Sequence, residues 1–168
     1  MTADSEDKSH LLSAHAREEI DHWVSKFPQE GIQSASIRAL MAVQHDNGGW
    51  VSTELMDAVA DYLGIPRVSV YEVATFYSMI ETEPTARHSV SICTNISCML
   101  RGADDLLAHV EKRLGCRRGE STTDGRIFLK VEEECLAACR CAPMMQVDHV
   151  YYENLTTDRV DEILDGLE

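Results

Sequence analysis

Six cysteines, Cys93, Cys98, Cys116, Cys135, Cys139 and Cys141, are the residues of this 168-residue chain whose type and spacing most directly suggest chemistry. Cys93 and Cys98 enclose four residues, Cys135 and Cys139 enclose three, and Cys135 lies 37 positions beyond Cys98. Two chelating pairs on two loops point to one tetrathiolate site. A 2Fe-2S cluster needs that donor set, because each of its two irons shares the bridging sulfides and takes two further thiolates. Zinc also accepts four thiolates, and spacing alone leaves it open beside an iron–sulfur cluster and unrelated buried or oxidisable thiols. The plant-type ferredoxin arrangement, C-x4-C-x2-C with a distant fourth cysteine, does not stand here. No C-x-x-C is present, which disfavours a thioredoxin-like thiol oxidoreductase.

For the pairs to meet, the elements before them must end at one edge of a sheet. His88 to Cys93 alternates and predicts a strand, and Ile127 to Val131 predicts a second after the turn signal Asp124-Gly125. If those strands are adjacent and parallel, Cys93 and Cys135 follow their ends on the same side. Between them Leu106, Leu107, Val110 and Leu114 form a helical stripe that stops at Gly115. Short β segments are expected at Met144 to Val147 and Val150 to Tyr152, then a helix capped by Thr156 or Thr157 with Val160, Ile163, Leu164 and Leu167 on its apolar face. The order is β-α-β-β-β-α.

Upstream the period is helical from Ser13 to about Met79. Ile20, Trp23, Val24 and Phe27 form one stripe, and Ile37, Leu40 and Met41 continue the rhythm. Ser52 is placed to cap a helix that Gly64 ends, and Pro66 suits the first turn of the next. Tyr71, Phe76 and Tyr77 on that last helix are expected in the core, with partner docking as the alternative. Glu83-Pro84-Thr85 breaks the pattern, because proline restricts its predecessor and lacks an amide proton. The expected division is a flexible acidic N-terminus over 1–12, a helical domain over 13–83 and a mixed domain over 84–168.

Fifteen Lys and Arg against 29 Asp and Glu leave a net charge of −14, which excludes binding through phosphate neutralisation. Much of the excess lies away from the cysteine loops: residues 153–168 hold six acids and one base. Apolar runs are far too short to cross a bilayer, so direct membrane insertion is not expected. Met1 to His10 lacks a signal or transit pattern, which makes a cytoplasmic address the default and keeps the cysteines reduced. No G-x-G-x-x-G follows a strand, so neither NADH nor flavin has a recognised site on this chain. His15, His22 and His45 are expected to be ordinary polar residues.

The stretches CTNISCMLRG, Cys93 to Gly102, and ECLAACRCAPMMQVDHVYYENLT, Glu134 to Thr156, resemble the two cluster-binding segments of the thioredoxin-like 2Fe-2S subunit of NADH:quinone oxidoreductase, respiratory complex I. The similarity continues upstream through Gly48 to Ile80 and covers roughly residues 34–166. It implies an α/β fold class, an N-terminal helical bundle followed by a thioredoxin-like 2Fe-2S ferredoxin domain. It also implies one 2Fe-2S cluster held by Cys93, Cys98, Cys135 and Cys139, with no catalytic residue on this chain. FMN and NADH would sit on a flavin-bearing NADH-binding partner subunit, beside other peripheral-arm subunits. The cluster would take single electrons from that flavin, and the complex would hold the chain against the inner face of the cell membrane. Equivalent subunits of an NAD-reducing hydrogenase or formate dehydrogenase share these motifs.

Two departures stand out: Ala137 replaces a usual glycine, and Cys141 adds a thiol that is either inert or able to replace Cys139. Cys116 reads as a free thiol. Glu132, Glu133 and Glu134 before Cys135 either favour a low potential, opposed by Arg101 and Arg140, or simply face solvent. Backbone amides of Asn95 to Met99 are candidate donors to cluster sulfur. Pro143 before a strand suggests a cis Ala142-Pro143 bond.

Overall fold

A computed structural model describes residues 6–131 and 135–168. It divides into a first compact unit that ends at Pro84 and a second that begins at Thr85.

In the first unit α1 (Ala14–Val24) starts where Ser13 Oγ accepts the Ala16 amide at 2.9 Å. α2 (Ser36–Asp46) packs on it, and Ile20, Leu40, Val51, Val59 and Val70 form the centre of the core. α3 (Thr53–Leu63) is capped by Ser52, as expected, and closes at Gly64 with φ +66°. α4 (Arg67–Phe76) begins one residue after Pro66, so the proline precedes the helix rather than entering its first turn. Phe27 lies beyond α1, and Trp23 is only half-buried, with the Arg38 guanidinium 4.3 Å from its ring centre. Tyr77 packs partly against the core, but Phe76 is 74% exposed and departs from the expected core placement. Their rings touch edge-on, so Tyr77 anchors the base of Phe76 while the ring faces water.

Within the first twelve residues, Lys8 to Leu12 lie against α3. The Lys8 amide donates to Asp61 at 2.9 Å, its ammonium reaches Asp57 at 2.8 Å, and Leu12 is buried. Arg67 joins the same two carboxylates at 3.1 and 2.7 Å, and the Tyr71 hydroxyl donates to Asp57.

The second unit is built on a five-stranded sheet in the order β2-β3-β1-β4-β5, with β1 at His88–Ile92, β2 at Glu120–Ser121, β3 at Ile127–Leu129, β4 at Met145–Val147 and β5 at Val150–Tyr152. β1 and β3 are parallel, pairing His88 with Ile127 and Val90 with Leu129. β4 runs antiparallel to β1 and joins β5 through Asp148 and His149, both at positive φ. The parallel pair requires a crossover, supplied by α5 (Ile96–Met99) and α6 (Ala103–Leu114). β2 and α5 add to the expected order. α7 (Thr157–Asp165) is capped by Thr156 and buries Val160, Ile163 and Leu164; Leu167 follows the helix yet still packs on this core. Among the described residues, no helix is long and apolar enough to cross a membrane.

His88 ties the start of β1 to two other places. Its Nδ1 meets Asp148 at 2.6 Å and its Nε2 meets the Glu168 carbonyl at 2.9 Å. Both partners accept, so only charged imidazole satisfies both. The hydrogen bond to Asp148 outweighs burial and raises the His88 pKa above its ordinary value, with the Glu168 carbonyl adding to the rise. A raised histidine pKa stabilises the fold fully below about pH 6.5, and that contribution is lost as pH climbs through the folded value. A His88→Gln protein is therefore expected to show a flatter fall in unfolding midpoint between about pH 6 and 8 than the native chain. Equal slopes in a circular-dichroism melting series would rule out this linkage.

Candidate metal centre

The sheet topology explains why distant cysteines meet. The C-terminal ends of β1 and β3 and the N-terminal end of β4 share one edge, because β1 is parallel to β3 and antiparallel to β4. Cys93 follows β1 directly, Cys135 follows β3, and a single turn over Cys139–Cys141 leads toward β4. The expected parallel pairing is what the structure shows.

One pair is interior. Cys93 is 3% and Cys98 1% exposed, packed with Ala103, Leu136, Ala142 and Met144. Met144 holds both residues: its carbonyl accepts the Cys93 amide at 3.2 Å, and its backbone also bonds Cys98 in a way that favours the thiolate. The peptide between Ala142 and Pro143 is cis, as expected. The other pair faces outward. Cys135 and Cys139 are exposed, with their sulfurs 3.3 Å apart. The Ala137 amide donates to Cys135 Sγ at 3.4 Å. It lies outside the expected run Asn95 to Met99, of which the Met99 amide bonds the Asn95 carbonyl as the segment coils into α5, while a helix start leaves the amides before it without an intrahelical acceptor. Glu132, Glu133 and Glu134, and the low potential read from them, fall outside the described residues.

The chemistry of these donors suits a polynuclear cationic centre. Burial pushes the Cys98 thiol up to about 11, reinforced by its hydrogen bond and charge interaction with Cys93 and by the charge of Cys135. Thiolates that disfavour one another when buried are stabilised by a metal, whose positive charge reverses that balance. Among the described residues, no group of three or more His, Cys, Asp or Glu side chains is arranged to hold a single metal ion. The thiols form two pairs, a donor set that would give each of two bridged irons its two thiolates.

Of the two remaining cysteines, Cys141 shares the turn of Cys139 and Cys116 lies in a separate core cluster. The Cys141 thiol hydrogen-bonds Glu153, which, together with burial, raises its pKa. Cys116 is buried among Leu107, Val110 and their neighbours, and burial raises its pKa as well. It is a free thiol, as expected, and lies in the core. Spacing did not reveal the apolar cover of Leu136, Ala142 and Met144; the small and apolar residues around Pro143 were its only trace in the sequence.

Ala137 adopts φ +61°, the left-handed region in which its usual counterpart, glycine, carries no penalty. Ala137→Val is expected to lose about 1 kcal/mol, a fall of roughly 4–8 °C in unfolding midpoint, while Ala137→Gly holds or raises it. A valine variant melting with the native protein would contradict this backbone assignment.

A family model for a thioredoxin-like [2Fe-2S] ferredoxin matches residues 20–168, reaching further toward the N-terminus than the resemblance read from the motifs. An NADH-quinone oxidoreductase subunit of Rhizobium meliloti (strain 1021) is 44% identical over 150 residues, 89% of this chain and 87% of its own. Another NADH-quinone oxidoreductase subunit, from Rickettsia conorii (strain ATCC VR-613 / Malish 7), is 40% identical over 145 residues, 86% of each chain. Among solved structures, an air-oxidised NAD+-reducing [NiFe]-hydrogenase superposes with TM-score 0.62 at 19% identity. That match covers 75% of this chain but 22% of the other, a likeness of fold.

Proposed function

Since the chain belongs to the thioredoxin-like [2Fe-2S] ferredoxin family, we propose that it is the electron-transfer subunit of an NADH:quinone oxidoreductase, with Cys93, Cys98, Cys135 and Cys139 as ligands of its one cluster. The observation that carries the ligand assignment is the meeting of two thiol pairs at one sheet edge. When bound, the cluster supplies one-electron transfer. The chain's own residues set its surroundings. Cys93 and Cys98 would supply two thiolates from an apolar interior, where the Met144 backbone fixes their loop. Cys135 and Cys139 would supply the other two from the surface, where an electron partner can approach.

Ile96 and Leu100 stand 73% and 74% exposed on either side of buried Cys98 in sequence. Apolar side chains left in water beside a redox centre suit a docked protein better than a free ferredoxin. The partner in this reading is the flavin-bearing NADH-binding subunit, and the complex keeps the chain peripheral to the cytoplasmic face of the membrane. The names of relatives at 40–44% identity favour the quinone-linked complex over a hydrogenase.

Anaerobic purification tests both parts. About two irons and two acid-labile sulfides per chain, with an EPR signal on dithionite reduction, are expected. Affinity purification from the native cell should bring down a flavoprotein that oxidises NADH. One zinc and no sulfide would overturn the cofactor assignment; a loaded cluster without a flavoprotein would overturn the complex.

A further inference from the structure

We propose that the two thiol pairs differ in their response to oxidants before the cluster is in place: Cys135 and Cys139 close a reversible disulfide with a glutathione-type disulfide as oxidant, while Cys93 and Cys98 stay reduced. Exposure and distance carry the inference. The Cys135 and Cys139 sulfurs are 3.3 Å apart and both residues are exposed, so an incoming disulfide reaches either and the second sulfur is already beside the first. Cys93 and Cys98 lie beneath Leu136, Ala142 and Met144, which deny a tripeptide disulfide the approach that exchange requires. Cys116 is enclosed in a separate core cluster.

The chemistry balances in two exchanges. Cys135 sulfur attacks one sulfur of oxidised glutathione, forming a mixed disulfide and releasing one glutathione thiol. Cys139 sulfur then attacks the Cys135 sulfur, forming the internal bond and releasing the second glutathione. The two cysteine sulfurs are oxidised, one glutathione disulfide is reduced to two thiols, and the two cysteine protons end on the released thiols. Rapid closure also keeps Cys135 from remaining a glutathione adduct. Given the ligand assignment above, on which this consequence rests, the disulfide withholds two of four ligands and makes loading dependent on prior reduction. The exposed half of the site thereby becomes a redox gate for its assembly.

Tryptic peptides separate the pairs: residues 88–101 carry Cys93 and Cys98, and residues 131–140 carry Cys135 and Cys139. The full cluster-free chain is treated with oxidised glutathione, blocked with N-ethylmaleimide and digested. Most of peptide 131–140 should have lost two hydrogens and bear no maleimide, with peptide 88–101 doubly alkylated and dithiothreitol reversing the change. Equal oxidation of 88–101, a lasting glutathione adduct on 131–140, or a cross-link from 131–140 to the peptide bearing Cys141 would each overturn the proposal. In a second arm the oxidised and reduced chains receive ferrous iron and sulfide anaerobically. Iron uptake by the oxidised chain should fall at least ten-fold and recover after reduction; undiminished uptake counts against the gate. If the reduced chain binds neither iron nor sulfide, the ligand assignment fails, a result distinct from failure of the peptide map.

Discussion

Cys98→Ala protein is expected to contain less than a tenth of the native iron and acid-labile sulfide and to lack the reduced-state EPR signal, while its far-UV circular dichroism matches the native chain. The argument rests on how little can replace this sulfur. Cys98 is 1% exposed in a four-residue helix, walled by Ala103 and Met144, so water has no open approach to the missing coordination position. Cys141 is occupied by Glu153, and Cys116 belongs to another core cluster. One iron would be left with a single protein thiolate, and a cluster with three of its four thiolates and no replacement ligand in an apolar pocket loses its sulfide. The fold should survive, because sulfur-to-hydrogen truncation at one buried position costs about 1 kcal/mol. Cys141→Ala is the matched control and should retain full iron, since its thiol stands outside the four assigned ligands. Cys139→Ala adds a sharper test: an assembled cluster there would show that Cys141 can leave Glu153 and serve as a ligand. Full occupancy in Cys98→Ala would remove that residue from the ligand set.

The contrast between the pairs was only half legible in the sequence. Cysteine spacing and alternating hydrophobicity from His88 identified the pairs and the strand before the first. The turn signal at Asp124-Gly125 located β3, so the shared edge followed once the strands were taken as parallel. Caps were equally readable, because Ser52 and Thr156 act within three residues of themselves and Gly64 needs only its own backbone freedom. What escaped is either too short or non-local. α5 spans four residues, about one turn, and cannot display a helical period. β2 has two residues and exists because β3 offers it an edge. Phe76 sits at a helix end where the apolar stripe and the exposed face are a fraction of a turn apart, so hydrophobicity misplaced it in the core. Burial of Cys93 and Cys98 against exposure of Cys135 and Cys139 depends on Met144 and Leu136 folding over one loop, a tertiary event with no local code.

Asp57→Ala is expected to destabilise the first unit by about 2–3 kcal/mol, or roughly 8–20 °C in unfolding midpoint for a domain of this size. Asp57 is 5% exposed, yet it accepts from the Lys8 ammonium, the Arg67 guanidinium and the Tyr71 hydroxyl. Truncation leaves those donors around Asp61 alone. Lys8 and Arg67 side chains are 29% and 24% exposed, so water recovers part of the loss and holds the effect below that of a fully buried broken pair. Burial acts to raise the Asp57 pKa, but hydrogen bonds from Lys8 and Tyr71 and the Arg67 charge overcome it and hold the carboxyl below its ordinary range. Asp61 is lowered too, chiefly by its hydrogen bond from Arg67. Carboxylates with depressed folded values contribute fully above about pH 4, and that contribution disappears as pH falls through the folded value. The native midpoint should therefore drop steeply between about pH 4 and 2, with a shallower drop in Asp57→Ala and an intermediate one in Asp57→Asn. Because the clasp involves no cysteine, iron and sulfide per chain should remain at native levels at neutral pH. A variant with native midpoint and native acid slope would show that the Lys8 segment is held by packing of Leu12 rather than by these charges.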